Sequence, residues 1–338
     1  MASSSAYTRE QIDQFLDHIQ LPQKYRHAPP SLDLLRALHT HMLAAAPYEN
    51  LAIHYNPAHA VELDPQHLFR KIVVNKRGRG GYCMENAILY NHVLVGLGFD
   101  SYTVGVRTRL RDGGVPRGDF PGWVHIVSIV TFPPGTTPYP QYHVDIAFGG
   151  DCATLPLPLV DGLVHANIGS QEIRLVRDWI PTQLKRTEES KLWIYEYRNG
   201  HDKPWNPFYC FTLVEFMPND WEVINVYAST SPKSWQTKTV ITIKFLRRAR
   251  NKPPADGGSG GDDGDKGGSE SESEEQEIYG KRYLVNDVIK ENLGGRTEII
   301  HECKTEGDRV AALEKYFGLR LTEEEQSAIQ GWRTQLAS

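Results

Sequence analysis

The spacing of apolar residues changes near Phe99, and that change limits the chain to folds in which helices and strands are segregated. Before it, apolar side chains recur every three or four residues. Ile12, Phe15, Leu16 and Ile19 follow Thr8, an N-cap with Gln11 at the capping-box position. Leu32, Leu35, Leu38 and Met42 follow Ser31, and Pro22 and Pro47 stop the two runs. A third helix is predicted from Cys83 to about Val95, closed by Gly96 and Gly98. After Phe99 the period is two. Residues 102–108, 124–130 and 142–146 alternate and are rich in β-branched side chains, with Gly/Pro clusters at 112–122 and 133–140 between them. Such runs read as an antiparallel sheet or barrel. Further strands are expected at 210–216, 238–246 and 283–285, and a helix at 308–317.

The expected class is therefore α+β: an N-terminal helical bundle (1–99), an antiparallel β-barrel (100–209) and a C-terminal α/β lid (210–338). The lid is interrupted at about 251–277. That stretch is nearly all Pro, Gly, Ser, Asp, Glu and Lys, too little apolar surface to offset chain entropy, and is expected to be a disordered acidic loop.

A net charge of −5 argues against a nucleic-acid partner, because phosphate neutralisation needs a basic face. Arg247-Arg248-Ala249-Arg250 reads as a solvated end beside the acidic run. No apolar run has the length of a membrane span, so no membrane partner is expected. The 13 histidines form no HxxxH pair and the four cysteines no CxxC pair, so no metal is expected. Widely spaced cysteines read as reduced thiols, and Met1-Ala2-Ser3-Ser4-Ser5 lacks the basic-then-apolar pattern of a secretory leader. Together these predict a cytoplasmic protein.

The run Arg77-Gly78-Arg79-Gly80-Gly81-Tyr82-Cys83-Met84-Glu85-Asn86 leads glycines directly into a helix whose first turn carries a cysteine. Unpaired N–H groups and the positive end of the helix dipole favour a thiolate there, and the same N–H groups can hold an oxyanion. The glycines are expected to turn the backbone tightly and to admit a substrate carbonyl. A thiolate needs a base, and the base an orienting acid. His125 lies inside an apolar strand, and Asp145 inside Val144-Asp145-Ile146. A buried carboxylate needs a dedicated partner, which His125 would supply. The order Cys, His, Asp is that of papain-like and transglutaminase-like enzymes. His143, on the same strand face as Asp145, is the rival base.

The segments Arg79-Gly80-Gly81-Tyr82-Cys83, Gly122-Trp123-Val124-His125 and Val144-Asp145-Ile146-Ala147-Phe148-Gly149 resemble, in order, the signature segments of the arylamine N-acetyltransferase family. Pro47-Tyr48-Glu49-Asn50-Leu51 upstream, and Tyr209-Cys210-Phe211-Thr212-Leu213 with Asn225-Val226-Tyr227 through Ser231-Pro232 downstream, extend the resemblance over about residues 10–246. It implies a cysteine-protease-like core with Cys83 as nucleophile, His125 as its partner and Asp145 as orienter, braced by a buried Glu49–Arg79 ion pair. It also implies an acceptor pocket at Val106, Thr108 and Phe148. Coenzyme contacts are implied at Gly122, Gly149, Gly150 and the turn Ser229, Ser231, Ser234. The family often has asparagine four residues after the cysteine; here Ala87 stands there and Asn86 one earlier.

The activity implied is two-step transfer of an acetyl or malonyl group from its coenzyme A thioester to an aromatic amine, in a detoxifying role. Arg107, Arg109 and Arg111 alternate, so one strand would put all three on one face. Arg107 and Arg109 are then candidates to receive a malonyl carboxylate or coenzyme phosphates, whereas Arg111 reads as a solvated edge. Two other classes use the same residues differently: a cysteine protease or amidase, and a binding module in which Gly96-Leu97-Gly98-Phe99 is a peptide-binding loop and not a helix end.

Overall fold

The computed structural model describes residues 4–250 and 275–337. The expected helices form where their caps predict. The hydroxyl of Thr8 accepts from Gln11 N–H and Gln11 Oε1 accepts from Thr8 N–H, opening Arg9–His18 with Ile12, Phe15 and Leu16 buried. Ser31 opens Leu32–Ala45 in the same way. The helix Cys83–Gly96 ends where Leu97 N–H donates to Val93 O and Phe99 N–H to Leu94 O, with Gly98 at φ +91°. Gly96-Leu97-Gly98-Phe99 is thus a helix terminus, not a peptide-binding loop.

The period-two runs join one eight-stranded antiparallel sheet. Its order is Leu157–Pro158, Gln141–Val144, His125–Thr131, Asp100–Thr108, Asn206–Glu215, Leu192–Arg198, Glu172–Asp178, Val164–Ala166. The sheet curls into a half-barrel, filled on one face by Val104, Val106, Val127, Ile129, Tyr195, Tyr209 and Phe211. Residue 210, expected to open the lid, lies inside Asn206–Glu215, which pairs with Asp100–Thr108 and Leu192–Arg198. The half-barrel therefore keeps the chain until Glu215.

A helix the sequence reading passed over follows, Pro218–Thr230. Proline in its first turn and Asp220, whose carboxylate accepts from Met217 N–H at 2.8 Å, are its start signals. The second sheet orders Tyr48–Glu49, Ile241–Ala249, Gln276–Val285, Val288–Asn292, Thr297–Glu302, so a two-residue strand from the N-terminal half forms its edge. The helix Glu306–Phe317 packs against it through Leu313 and Phe317. Residues 251–274 of the acidic run lie outside the described residues, while Gln276 and Glu277 already pair with Ala249 and Arg248. Gln276 and Glu277, expected within the acidic loop, are therefore strand residues. Among the described residues no helix is long and apolar enough to cross a membrane.

The helix Cys83–Gly96 lies on the outer face of the half-barrel, its Met84, Ala87 and Leu94 sharing one core with Ile126, Val130 and Val144. Its first residue thereby meets the start of the strand His125–Thr131.

Candidate active site

The loop before Cys83 is shaped by its neighbours more than by turning. A Cβ on Gly80 would lie 1.9 Å from the carbonyl oxygen of Pro47, so only glycine lets that segment pass. Tyr48 bridges to Gly81, and Glu49 N–H donates to Gly81 O at 3.0 Å. Gly78, at φ +70°, takes the left-handed backbone a tight turn needs, whereas Gly80 serves a close backbone crossing. Asn86, although displaced from the family's usual position, donates from Nδ2 to Gly81 O at 2.8 Å and Pro47 O at 3.3 Å. Glu85 Oε2 accepts from Tyr82 N–H at 3.1 Å, capping the helix start.

Beneath the loop is a buried ion cluster. Arg79 Nε lies 2.9 Å from Glu49 Oε1, with the two side chains 3% and 0% exposed. Lys71 Nζ lies 2.6 Å from Glu85 Oε1 and 3.6 Å from Glu49 Oε1. Glu49 Oε2 also accepts from Leu51 N–H at 2.7 Å. Burial works against ionised Glu49, but Arg79 and Lys71 outweigh it and hold its carboxyl below the usual range. Glu85 is raised, by burial first and against the pull of Lys71. Lys71 and Glu85 escaped the sequence reading. The signal was present, since Glu85 stands at the third helical position after an N-cap.

His125 and Asp145 meet as expected, with Nε2 2.9 Å from Oδ2 and both side chains buried. Asp145 lies just past its strand, where Oδ1 accepts from Ala147 N–H at 3.0 Å. The Cys152 thiol donates to its backbone carbonyl. Burial disfavours an imidazolium at His125, but Asp145 and a hydrogen bond with Cys83 reverse this and raise it to about 10. Asp145 is held low: burial opposes its charge, and His125, His143 and Ala147 N–H overcome it. Cys83 is 4% exposed and faces the start of the strand, its sulfur 3.8 Å from Val124 O.

The rival base His143 is engaged by a different partner: its Nε2 is 2.9 Å from the Tyr209 hydroxyl, and burial lowers it to about 4. His143→Gln is expected to keep kcat within about tenfold of the parent, where loss of the true base would cost about 10²–10⁴-fold. A steady-state assay of the purified variant decides it.

The expected acceptor residues gather around His125. Val106 is directly across from it in register and so shares its sheet face. Thr108 pairs with Tyr209, and the half-buried Phe148 ring is 5.2 Å from the His125 ring and 4.7 Å from those of Tyr209 and Phe208. Gly149 has φ +84°. Gly150 O accepts from Lys281, which lies 3.7 Å from Asp151. Gly122 has open space around it.

The three arginines do not share one face. Arg107, next to Val106, faces away from His125; it lies over the Trp123 ring and donates to Pro121 O. It lines a cleft of about 290 Å³ with Phe120, Trp123 and Ile180. The strand ends at Thr108, and Arg109 turns to Gly118 O and Pro207 O. Arg111, taken for a solvated edge, pairs with Asp151 at 2.6 Å.

The serine turn is also different. Ser229 lies on the helix Pro218–Thr230 and donates to Asn225 O, and Ser234 is buried and donates to Ala228 O. Ser231 caps the helix and keeps its hydroxyl nearer the surface. Among the described residues no group of His, Cys, Asp and Glu could hold a metal.

A helix-mounted thiol, an imidazole and a buried carboxylate at the rim of a half-barrel are the residue types that thiol-dependent transferases and hydrolases use. Residues 31–251 match the family model described as N-acetyltransferase, and the chain belongs to the arylamine N-acetyltransferase family, as an acyltransferase of that type. It is 29% identical over 348 residues to the N-malonyltransferase FDB2 of Fusarium pseudograminearum, covering 96% of this chain and 92% of that one. It is 28% identical over 219 residues to the arylamine N-acetyltransferase of Escherichia coli, covering 65% and 68%. The fold is that of the Mycobacterium abscessus arylamine N-acetyltransferase, with a TM-score of 0.71 at 21% identity over 96% of this chain and 95% of that one. The Mycobacterium marinum enzyme in complex with CoA gives 0.68 at 23% identity over 95% and 99%.

Proposed function

We propose that the chain transfers an acyl group from coenzyme A to an aromatic amine through an acyl-Cys83 intermediate. The observation that carries the reading is the buried His125–Asp145 pair, 2.9 Å apart, at the start of the strand that Cys83 faces. The thiolate attacks the thioester carbonyl, N–H groups at the helix start hold the oxyanion, and the CoA thiolate leaves with a proton. The amine nitrogen then attacks the acyl-cysteine, His125 takes its proton, and Cys83 is released. Aromatic amines are weakly basic and present a free lone pair at neutral pH, whereas alkyl amines are protonated.

Phe148, Val106 and Thr108 would receive the acceptor ring, and Gly149, Gly150, Gly122 and Ser231 the coenzyme. Malonyl-CoA is favoured as donor over acetyl-CoA, because the N-malonyltransferase relative aligns along nearly the whole chain. Intact-protein mass spectrometry after brief exposure to each thioester tests the reading. A malonyl increment on Cys83 that an aromatic amine removes, faster than water does, is expected. An increment lost equally fast without amine identifies a hydrolase instead.

A further inference from the structure

The nucleophile loop is held from outside as well as from beneath. After the helix Glu306–Phe317, residues 318–336 run back across the N-terminal half of the chain. A Cβ on Gly78, which has φ +70°, would lie 2.0 Å from Gly318 O. Arg320 N–H donates to Arg77 O, and its guanidinium to Lys76 O, both at 2.9 Å. Glu325, on the helix Glu323–Ala328, sits between two cations, with Oε1 2.7 Å from Arg79 Nη1 and 3.2 Å from Arg77 Nη2. Further on, Trp332 stacks on His59 with ring centroids 3.6 Å apart, and the Thr334 hydroxyl meets His54 Nδ1 at 2.9 Å.

His54 belongs to Leu51–Tyr55, the helix whose first N–H is held by Glu49. The segment therefore grips both sides of the Glu49–Arg79 pair: Arg79 directly, and Glu49 through the helix it opens. All of it lies beyond residue 251, where the family match ends.

We propose that residues 318–336 are a strap that completes the mount of the nucleophile, and that Glu325 is a positioning residue acting through Arg79 on Cys83. The strap's role in turnover rests on the acyl-cysteine reading above, but its effect on the thiol itself can be read without substrate.

Charge and position predict opposite signs. Arg77, Arg79 and Lys71 face Glu49, Glu85 and Glu325. Deleting Glu325 leaves this group more positive, which by charge alone would favour the thiolate and speed its alkylation. If Glu325 positions the loop, its loss slows alkylation, because a small displacement of a reacting group is costly.

The test uses full-length protein and three variants: Glu325→Ala, Glu325→Gln and Gly78→Ala. Iodoacetamide alkylation of Cys83 at pH 7 is followed by peptide mass, beside kcat and KM with a CoA thioester and an aromatic amine, and melting curves confirm folding at the assay temperature. Glu325→Ala is expected to slow alkylation and lower kcat about tenfold each, with KM within about twofold. Glu325→Gln, which keeps length and an acceptor oxygen, stays within about threefold of the parent. Gly78→Ala, which pushes the strap off without changing charge and also strains the loop at φ +70°, is expected to slow alkylation at least as much as Glu325→Ala, and parental alkylation in it overturns the proposal. Parental or faster alkylation in Glu325→Ala, or equal losses in Ala and Gln, overturns the proposal. Should Gly78→Ala fail to fold, the Ala–Gln comparison decides alone. Slowed alkylation with unchanged kcat supports the strap and overturns the acyl-cysteine reading instead.

Discussion

Cys83→Ala is expected to release CoA from no thioester above the uncatalysed rate and to carry no acyl increment, a loss of about 10⁴-fold or more. No other thiol can substitute. Cys152 is buried and donates to the Asp145 carbonyl, and burial pushes it well above the ordinary range. Cys210 and Cys303 are buried too, raised to about 12 and about 11, so neither is ionised at neutral pH. The loss should be in kcat with the fold intact, because removing one small side chain costs little packing beside the buried Met84 and Ala87. Following CoA release with a thiol reagent checks this. A variant retaining a hundredth of the parent rate would remove the covalent intermediate from the mechanism.

Asp145→Asn is expected to lower kcat about 10³–10⁴-fold, with the backbone in place. An amide is neutral, cannot stabilise the imidazolium, and is free to present its NH₂ to His125 in place of an acceptor. The pH dependence carries the diagnosis. His125 is raised to about 10 from an ordinary value near 6.5, so its contribution to stability is fully present below about 6.5 and is lost as pH rises through about 10. Asp145 is shifted the other way, so its contribution is present above its ordinary value and is lost as pH falls through the lower folded one. In Asp145→Asn the raised value of His125 loses its largest cause, and the alkaline loss of stability moves down towards the ordinary histidine range. Melting temperatures across pH, with kcat/KM beside them, check both limbs. An unchanged alkaline limb would mean that something other than Asp145 keeps His125 protonated.

The elements with strong periodicity and good caps were legible in the sequence: the three N-terminal helices, the strand that His125 opens, the strand that ends just before Asp145, and the last long helix. His125 and Asp145 were readable because polar residues within apolar runs need partners, and their partners turned out to be each other. What escaped depended on contacts between segments far apart in the chain. The role of Gly80 is set by Pro47, 33 positions away in the numbering. The face presented by Arg107 depends on Val106 pairing with His125, and Arg111 escapes the strand because it ends at Thr108. Alternation assigns faces only while a strand persists: Arg109 still shares the Phe120 side with Arg107, and extrapolating further misplaced Arg111. The serine turn was misjudged for a related reason: the helix Pro218–Thr230 leaves several apolar residues exposed, among them Val223, Val226 and Tyr227, and its weak amphipathic stripe hid it.

The strand Tyr48–Glu49 joins Ile241–Ala249 on one side and bridges to Gly81 on the other. Translation is vectorial, and a ribosome that has made only the first half of the chain has already supplied the sulfur, the imidazole and the carboxylate. It has not yet supplied the partner that fixes Tyr48 and Glu49 from the far side. The bracing of the nucleophile loop through Tyr48 and Glu49 is thus completed only when the closing third of the protein has been made.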